Sequence, residues 1–503
     1  MQNEDVSRVR PDTELLAAHP LIIAANRGPV EFARGDDGAF THHRASGGVV
    51  TAMRALGQYV DPLWVASAIS DADRAQAALA GGEAIIVDDA DGPRLRLHFA
   101  AVPHETYNLA YNDISNELLW FLQHYLWDTA HEPDIDDATW RAWDLGYQIT
   151  NLAFANTIAR AAASVHTTQP VVMLQDYHLY LTAALVRERL PEAILQQFIH
   201  IPWPDKDYWL LLPPRMRWEI CVSLMANDVV GFQTPSHCHN FIATCVATVP
   251  EAEGDQERMT LRYGGRMIRV RPYPISLDVP DVRRVAAGET VAHYRTSLRE
   301  FLGERTILRV DRAEPSKNIL RGFRAFDLFL DRYPQWHGKV RFLALLVPSR
   351  LTVPRYREYL DEIYALIGRI NTKHGTEAWR PIRSLVGDNY ERALAVLSQY
   401  DVLLVNSLAD GMNLVAKEGA LLNERGGVLI LTETTGAHEQ LGAHAISIAP
   451  TDIASTADAL HRALTMPEAE RYMHAEALRR SVEEADIVHW ITDQLADLAT
   501  LAS

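Results

Sequence analysis

Short apolar runs recur along the chain, and most are continuous rather than alternating. PLIIAA (20–25) is the first and closes on Asn26-Arg27-Gly28-Pro29. LWVAS (63–67), VVMLQDYH (171–178), LQQFIHIP (195–202) and DVVGFQT (228–234) follow. TILRVDR (306–312), VRFLALLVPSR (340–350), DVLLVNSL (401–408) and GVLILTE (427–433) come later. Runs of this length, rich in β-branched residues, predict strands covered on both faces. Stretches of helical period lie between them, including 317–333 and 354–370. GDDGAF (35–40) reads as a hairpin turn. Ser46-Gly47-Gly48 opens the helical stretch VVTAMRALGQYV, and a strand, a glycine loop and a helix N-terminus together form an anion site. Alternating strand and helix predicts an α/β fold of doubly wound parallel sheets.

The break between two such sheets is expected near 275–300. PYPISLDVP closes the first half, and the polar helix ETVAHYRTSLREFLG leads into the second. The expected domains are 1–283 and 284–485, with a final helix at 486–503 packing back on the first. A chain of 503 residues agrees with this, being too long for one hydrophobic core.

Composition narrows the function. Hydrophobic residues at 48% and charged residues at 22% are ordinary for a globular enzyme. Forty-eight Lys and Arg stand against 65 Asp and Glu, giving a net charge of −17. Such a surface repels nucleic acid and acidic membranes, so any phosphate must be held in a local basic pocket. The three cysteines, Cys221, Cys238 and Cys245, are too few for a secreted disulfide scaffold and imply reduced thiols and a cytoplasmic location. His237-Cys238-His239 lacks a second ligand pair at zinc-site spacing, so no metal is expected there. The polar start of the chain is not a signal peptide, and no run of about 18 apolar residues suggests a membrane span.

Ligands of open α/β sheets bind outside the carboxyl ends of the strands. Arg27, Asp176, His200, Arg312, Arg350 and Asp410 all fall at such ends. Each alone could be a loop cap or a satisfied core residue; together they favour a site. RVDRAEPSKN places Arg312 and Lys317 around Pro315, offering a planar fork and a mobile point charge for phosphate oxygens. Two cations at about 4 Å would each supply about 4 kcal/mol of attraction at an effective dielectric of 20. In DGMNLVAKE (410–418), Gly411 lets backbone approach a ligand, the N–H groups opening the next helix can hold a phosphate, and Glu418 can accept from ribose hydroxyls.

NRGP (26–29) with SGG (46–48), YNxxSNxxLW (111–120), QDYHL (175–179), HIPWP (200–204), GFQT (231–234), VDRxxxxK (310–317), VPSR (347–350) and DGMNLVAKE occur in that order. This set resembles the trehalose-6-phosphate synthases, retaining glycosyltransferases of family 20, from about residue 20 to 480. The resemblance implies a GT-B fold, two Rossmann-like domains facing a central cleft. It implies glucose 6-phosphate bound by Arg27, Trp64, Tyr111, Trp120 and Arg350, with Asp176 near the acceptor. It implies a donor held by Gly47, Gly48, Arg312, Lys317, Asp410, Gly411, Met412, Asn413, Leu414, Val415 and Glu418. His200 would touch the transferred glucose, and Arg312, Lys317, His200, Asp410 and Asp176 would carry the chemistry. The implied reaction is front-face transfer with retention, in which the leaving phosphate oxygen takes the acceptor proton. It needs no carboxylate nucleophile, no cofactor and no metal.

Two departures bear on the substrates. VDRAEPSKN replaces the usual VDRLDYxKG, and HIPWPDKDYW stands where HIPFP is common. Both resemble the actinobacterial branch, favouring GDP-glucose over UDP-glucose or ADP-glucose. They also resemble, less closely, validoxylamine phosphate synthases, which couple a cyclitol phosphate. VPSR favours the sugar-transferring members. The alternative of a silent sugar-phosphate sensor conflicts with the intact set Arg312, Lys317, Asp410 and Glu418. Asp134-Ile-Asp136-Asp137-Ala138 departs from a phosphatase motif at Ala138 and reads as a helix start. A homo-oligomer is left open, and partners other than the two sugar phosphates are not expected.

Overall fold

The computed structural model describes residues 14–35, 37–44, 61–88 and 94–502. Gly47, Gly48 and the helix expected after them lie outside the described residues. The chain forms two compact units, one ending at Pro274 and resuming at Ile487, the other running from Ile275 to Asp486. The helix Val279–Ala286, which buries Val279, Val282 and Ala286, belongs to the second unit, so the division falls before it rather than within it.

The first unit is built on a ten-stranded sheet. Its parallel strands, in spatial order, are Leu95–Ala100, Leu63–Ser67, Leu21–Ala25, Val171–Gln175, Ile194–Phe198, Val229–Phe232 and Arg266–Pro272. Antiparallel strands Ile85–Val87 at one edge and Thr260–Tyr263 with Glu253–Asp255 at the other complete it. The order reverses between Leu21–Ala25 and Val171–Gln175, which pair through Leu21↔Val171. Both strands are buried at every position. Helix Gln148–Ser164 covers them, setting Phe154, Ile158 and Ala161 against Ile22, Val172 and Leu174. Alanines 155, 161 and 162 let that helix lie close to the sheet. The hairpin Val30–Arg34 with Phe40–Arg44 forms around the expected turn.

The final helix, Ile487–Ala502, packs on this same unit. Trp490 Nε1 donates to Tyr273 O (3.1 Å), Gln196 Nε2 donates to Gln494 Oε1 (2.9 Å), and Trp490 meets Phe198 edge-on at 5.3 Å.

The second unit has six parallel strands in the order Ile382–Val386, Val340–Val347, Arg305–Arg312, Val402–Val405, Val428–Thr432 and Ile446–Ile448. This is the dinucleotide-fold order, reversing between Arg305–Arg312 and Val402–Val405. Helix Ile319–Arg332 presents Ile319, Phe323, Phe326 and Leu330 at helical spacing to Phe342, Ala344 and Leu346. Each of these Ile, Leu and Phe side chains, fully buried, contributes about 1.5–3 kcal/mol.

Not every strand corresponds to one of the continuous apolar runs. Leu95–Ala100 contains Arg96, whose guanidinium reaches the Asp61 carboxylate at 3.0 Å, and His98, which is pinned to Gly82 O at 3.3 Å. Ile85–Val87, Ile382–Val386 and Ile446–Ile448 are edge strands, short or half-exposed, where one side of the ladder needs no apolar cover.

Candidate active site

In the second unit, strand Arg305–Arg312 ends at the reversal of strand order with Arg312. The backbone turns at once, Glu314 N donating to Arg312 O at 2.8 Å, and Pro315–Lys317 form a single 3₁₀ turn. That turn carries Lys317 to the loop after Val402–Val405, where its Nζ lies 2.5 Å from Asp410 Oδ2. The same oxygen accepts from Asn413 Nδ2 (3.0 Å) and Ser407 Oγ (3.2 Å). Asn413, at φ 81°, caps helix Leu414–Leu422 by accepting from Ala416 N at 3.0 Å. Gly411 and Met412 are buried just before that helix, and Leu414 and Val415 are half-buried on its first turn. A Cβ on Gly436 would stand 1.9 Å from Gly411 O, so these two backbones touch directly and only glycine fits.

Further along the helix, burial pushes the Glu418 carboxyl up to about 7, against a hydrogen bond from Tyr390 OH at 3.2 Å. Its neighbour Lys417 is wholly buried, donates to Ile275 O at 2.7 Å, and is pushed down to about 7 by burial.

Beneath the site lies a charged network that sequence reasoning overlooked. Arg309 has no exposed surface and donates through Nε (3.0 Å) and Nη2 (2.8 Å) to Asp311 Oδ2. Nη2 also reaches Lys317 O (3.0 Å) and Asn406 Oδ1 (3.2 Å), tying the two strand ends together. Burial holds the Asp311 carboxyl above its usual range, opposed by the Arg309 guanidinium. The signal was present: an arginine amid the apolar run of TILRVDR. Arg350 also belongs to this unit. Its Nη1 donates to Tyr356 OH at 2.8 Å and lies 3.5 Å from Glu314 Oε2, which places it beside Arg312.

In the first unit, the reversal of strand order is flanked by Asn26-Arg27 and by Asp176. Asn26 is fixed by Ser67, whose Oγ donates to Asn26 Oδ1 at 2.9 Å. Arg27 is 45% exposed in its side chain and pairs with Glu31 at 3.3 Å. Asp176 sits at φ 70°, and its Oδ1 accepts from His200 N at 3.2 Å. His200 Nε2 lies 2.9 Å from the Gln175 side-chain amide. Burial pushes this imidazole down to about 3, which keeps it neutral.

The residues after Asp176 gather the aromatic set. His178 stacks on Tyr111 (5.8 Å), and Tyr177 meets Trp120 (5.6 Å) while donating to Asn116 Oδ1 (2.8 Å). Tyr111 and Asn116 lie on the π-helical segment Leu109–Leu119, a wide winding often found at functional sites. Trp64 is 1% exposed within its strand, and among the described residues its Nε1 has no hydrogen-bond partner.

Elsewhere, Asp136 caps helix Asp137–Arg141 by accepting from Thr139 N at 2.9 Å, the helix start that the sequence suggested. His237–His239 lie on helix Pro235–Thr248, with Cys238 buried.

A family model, Glycosyltransferase family 20, matches residues 19–500. The chain is 31% identical to an alpha,alpha-trehalose-phosphate synthase (UDP-forming) of Schizosaccharomyces pombe, over 93% of this chain and 88% of that protein. It is 29% identical to a validamine 7-phosphate valienyltransferase of Streptomyces hygroscopicus, over 87% of this chain and 85% of that protein. The solved structure of an alpha,alpha-trehalose-phosphate synthase (UDP-forming) from Burkholderia xenovorans in complex with glucose-6-phosphate superposes with a TM-score of 0.78 at 26% identity, covering 95% of this chain and 100% of that one.

Proposed function

The chain belongs to glycosyltransferase family 20, and from that premise we propose that it transfers glucose from a nucleotide diphosphate glucose to glucose 6-phosphate with retention, giving α,α-trehalose 6-phosphate. It is a glycosyltransferase with the GT-B fold. The observation that carries the specific reading is the meeting of Lys317 and Asp410 at 2.5 Å where the second sheet reverses, with Arg312 on the adjoining strand end.

In this reading Arg312 and Lys317 hold the donor diphosphate and offset the charge that grows on it as the glycosidic bond breaks. Asp410 orients Lys317 and takes hydroxyls of the transferred glucose. The N–H groups of Leu414 and Val415 add a helix-terminal anion site, and Glu418 accepts from the ribose. Arg27 and Arg350 are the cations assigned to the acceptor phosphate, and Tyr111, stacked on His178, and the buried Trp120 are assigned to the acceptor side. His200, being neutral, acts as a hydrogen-bonding group rather than a cation. The leaving phosphate oxygen takes the proton of the acceptor's anomeric hydroxyl on the same face. Positioning and fixed charge therefore carry the rate, and no metal is required.

VDRAEPSKN and HIPWPDKDYW favour GDP-glucose as donor; the UDP-forming relatives support UDP-glucose. Similarity to the valienyltransferase supports a second reading, transfer to a cyclitol phosphate. Proton NMR of the product tests the main reading. Two α anomeric signals of small coupling, one from each ring of a 6-phosphorylated, non-reducing disaccharide, are expected. A β linkage, or a reducing product, would refute it.

A further inference from the structure

Glu314 has no exposed surface, although it stands at the head of the 3₁₀ turn Pro315–Lys317 and outside the hydrophobic clusters. A carboxylate taken out of water must be paired, and its two oxygens are divided between two arginines. Oε1 lies 2.9 Å from Arg312 Nε and accepts from Ser349 Oγ at 3.1 Å. Oε2 lies 3.5 Å from Arg350 Nη1. Arg350 is fixed further by Tyr356, through the 2.8 Å hydrogen bond and a ring whose centroid is 5.4 Å from the guanidinium carbon.

Local backbone makes this arrangement. Arg312 and Val347 are register partners on adjacent parallel strands, and Ala313 N donates to Val347 O at 2.8 Å. The two chains leave the sheet side by side. Arg350 then takes φ 47°, a conformation a non-glycine residue rarely holds without compensation. Pro315 and the turn from Glu314 N to Arg312 O (2.8 Å) set the Glu314 side chain between the two strand ends. Arg312 is tethered at Nε, the nitrogen nearest its own backbone, while its side chain stays 46% exposed. Arg350 is 8% exposed and held from two sides.

We propose that Glu314 is a positioning residue that fixes Arg312 and Arg350 relative to each other, so that one buried carboxylate sets the spacing between the donor-diphosphate cation and the acceptor-phosphate cation. This rests on the roles given above to the two arginines. Its signature is a joint defect. Loss of Arg350 alone disturbs the acceptor, whereas loss of Glu314 disturbs both substrates at once.

The test uses the full chain. Wild type is assayed first with GDP-glucose and UDP-glucose against glucose 6-phosphate, then Glu314→Gln, Glu314→Asp and Arg350→Ala. For Glu314→Gln, the KM of donor and acceptor both rise roughly tenfold and kcat falls roughly tenfold or more, the scale of a misplaced electrostatic group. Glu314→Asp, which keeps the charge with a shorter reach, recovers part of that loss at an unchanged melting temperature. Wild-type constants in a folded Glu314→Gln protein overturn the proposal, as does a defect confined to one substrate. If Glu314→Gln does not fold, Glu314→Asp decides: raised KM for both substrates supports the assignment, and wild-type constants overturn it. If wild type transfers no glucose, the reading of function fails separately. Glu314 is then judged by calorimetric binding of GDP and UDP, where roughly tenfold weaker binding in Glu314→Gln supports its role and equal binding overturns it.

Discussion

Lys317 Nζ and Asp410 Oδ2, 93 residues apart in sequence, stand 2.5 Å from each other, with both side chains largely buried at 13% and 14% exposure. The pair fixes a mobile ammonium where the donor diphosphate is expected. Lys317→Ala should therefore lower turnover by roughly a hundredfold or more, the effect of losing one preorganised stabiliser of developing charge. Steady-state kinetics on folded protein measures this. Near-normal turnover would remove Lys317 from the mechanism.

Arg350 and Tyr356 form a separate test. Arg350→Ala should raise the KM for glucose 6-phosphate by roughly tenfold or more, since a charged hydrogen-bonded partner of the phosphate is lost. The donor KM should stay within about twofold, because Arg312 keeps Glu314 as its partner at 2.9 Å. Equal weakening of both substrates would contradict the assignment of Arg350 to the acceptor.

Arg309 makes a prediction about stability. Arg309→Met would leave Asp311 buried without its cation, at a cost of about 3–5 kcal/mol in chemical denaturation. Gly322→Ala should also destabilise, because a Cβ there would stand 2.6 Å from Arg309 Nη1 and 3.2 Å from Asn406 Oδ1. A Gly322→Ala protein as stable as wild type would show that the network can shift to make room.

The adjacent pair Lys417 and Glu418 predicts opposite pH dependences. Lys417 falls from 10.5 to about 7 on folding, so between those values the unfolded chain binds more protons. Native stability should rise with pH across that window, by up to about 1.4 kcal/mol per pH unit, and Lys417→Met should remove the slope. Glu418 rises from 4.5 to about 7, so there the native chain binds more protons and stability should fall as pH rises from 4.5 to 7. Glu418→Gln should flatten that limb. Variant and wild-type curves that run parallel through both windows would contradict these assignments.

The parallel strands buried on both faces, such as Leu21–Ala25 and Val402–Val405, were legible because burial demands unbroken apolar runs. Leu95–Ala100 was not, since Arg96 and His98 find partners that no local pattern reveals. Arg312 at a strand end, with Lys317 and Asp410 in the loops that follow two strands, could be read directly, because the reversal of strand order lies between those strands. Glu314 could not be separated from a solvated surface residue, since its burial depends on Ser349 and Arg350 returning from the next strand. Asp176 shows the same limit: its φ of 70° cannot be read from the run QDYHL.

The proposed reaction is transfer of glucose to glucose 6-phosphate without a metal. An initial-rate matrix of GDP-, UDP- and ADP-glucose against glucose 6-phosphate and cyclitol phosphates, with and without a chelator, tests it most directly. Turnover with glucose 6-phosphate, fastest with GDP-glucose and unchanged by the chelator, is expected. No turnover with glucose 6-phosphate for any donor would contradict it.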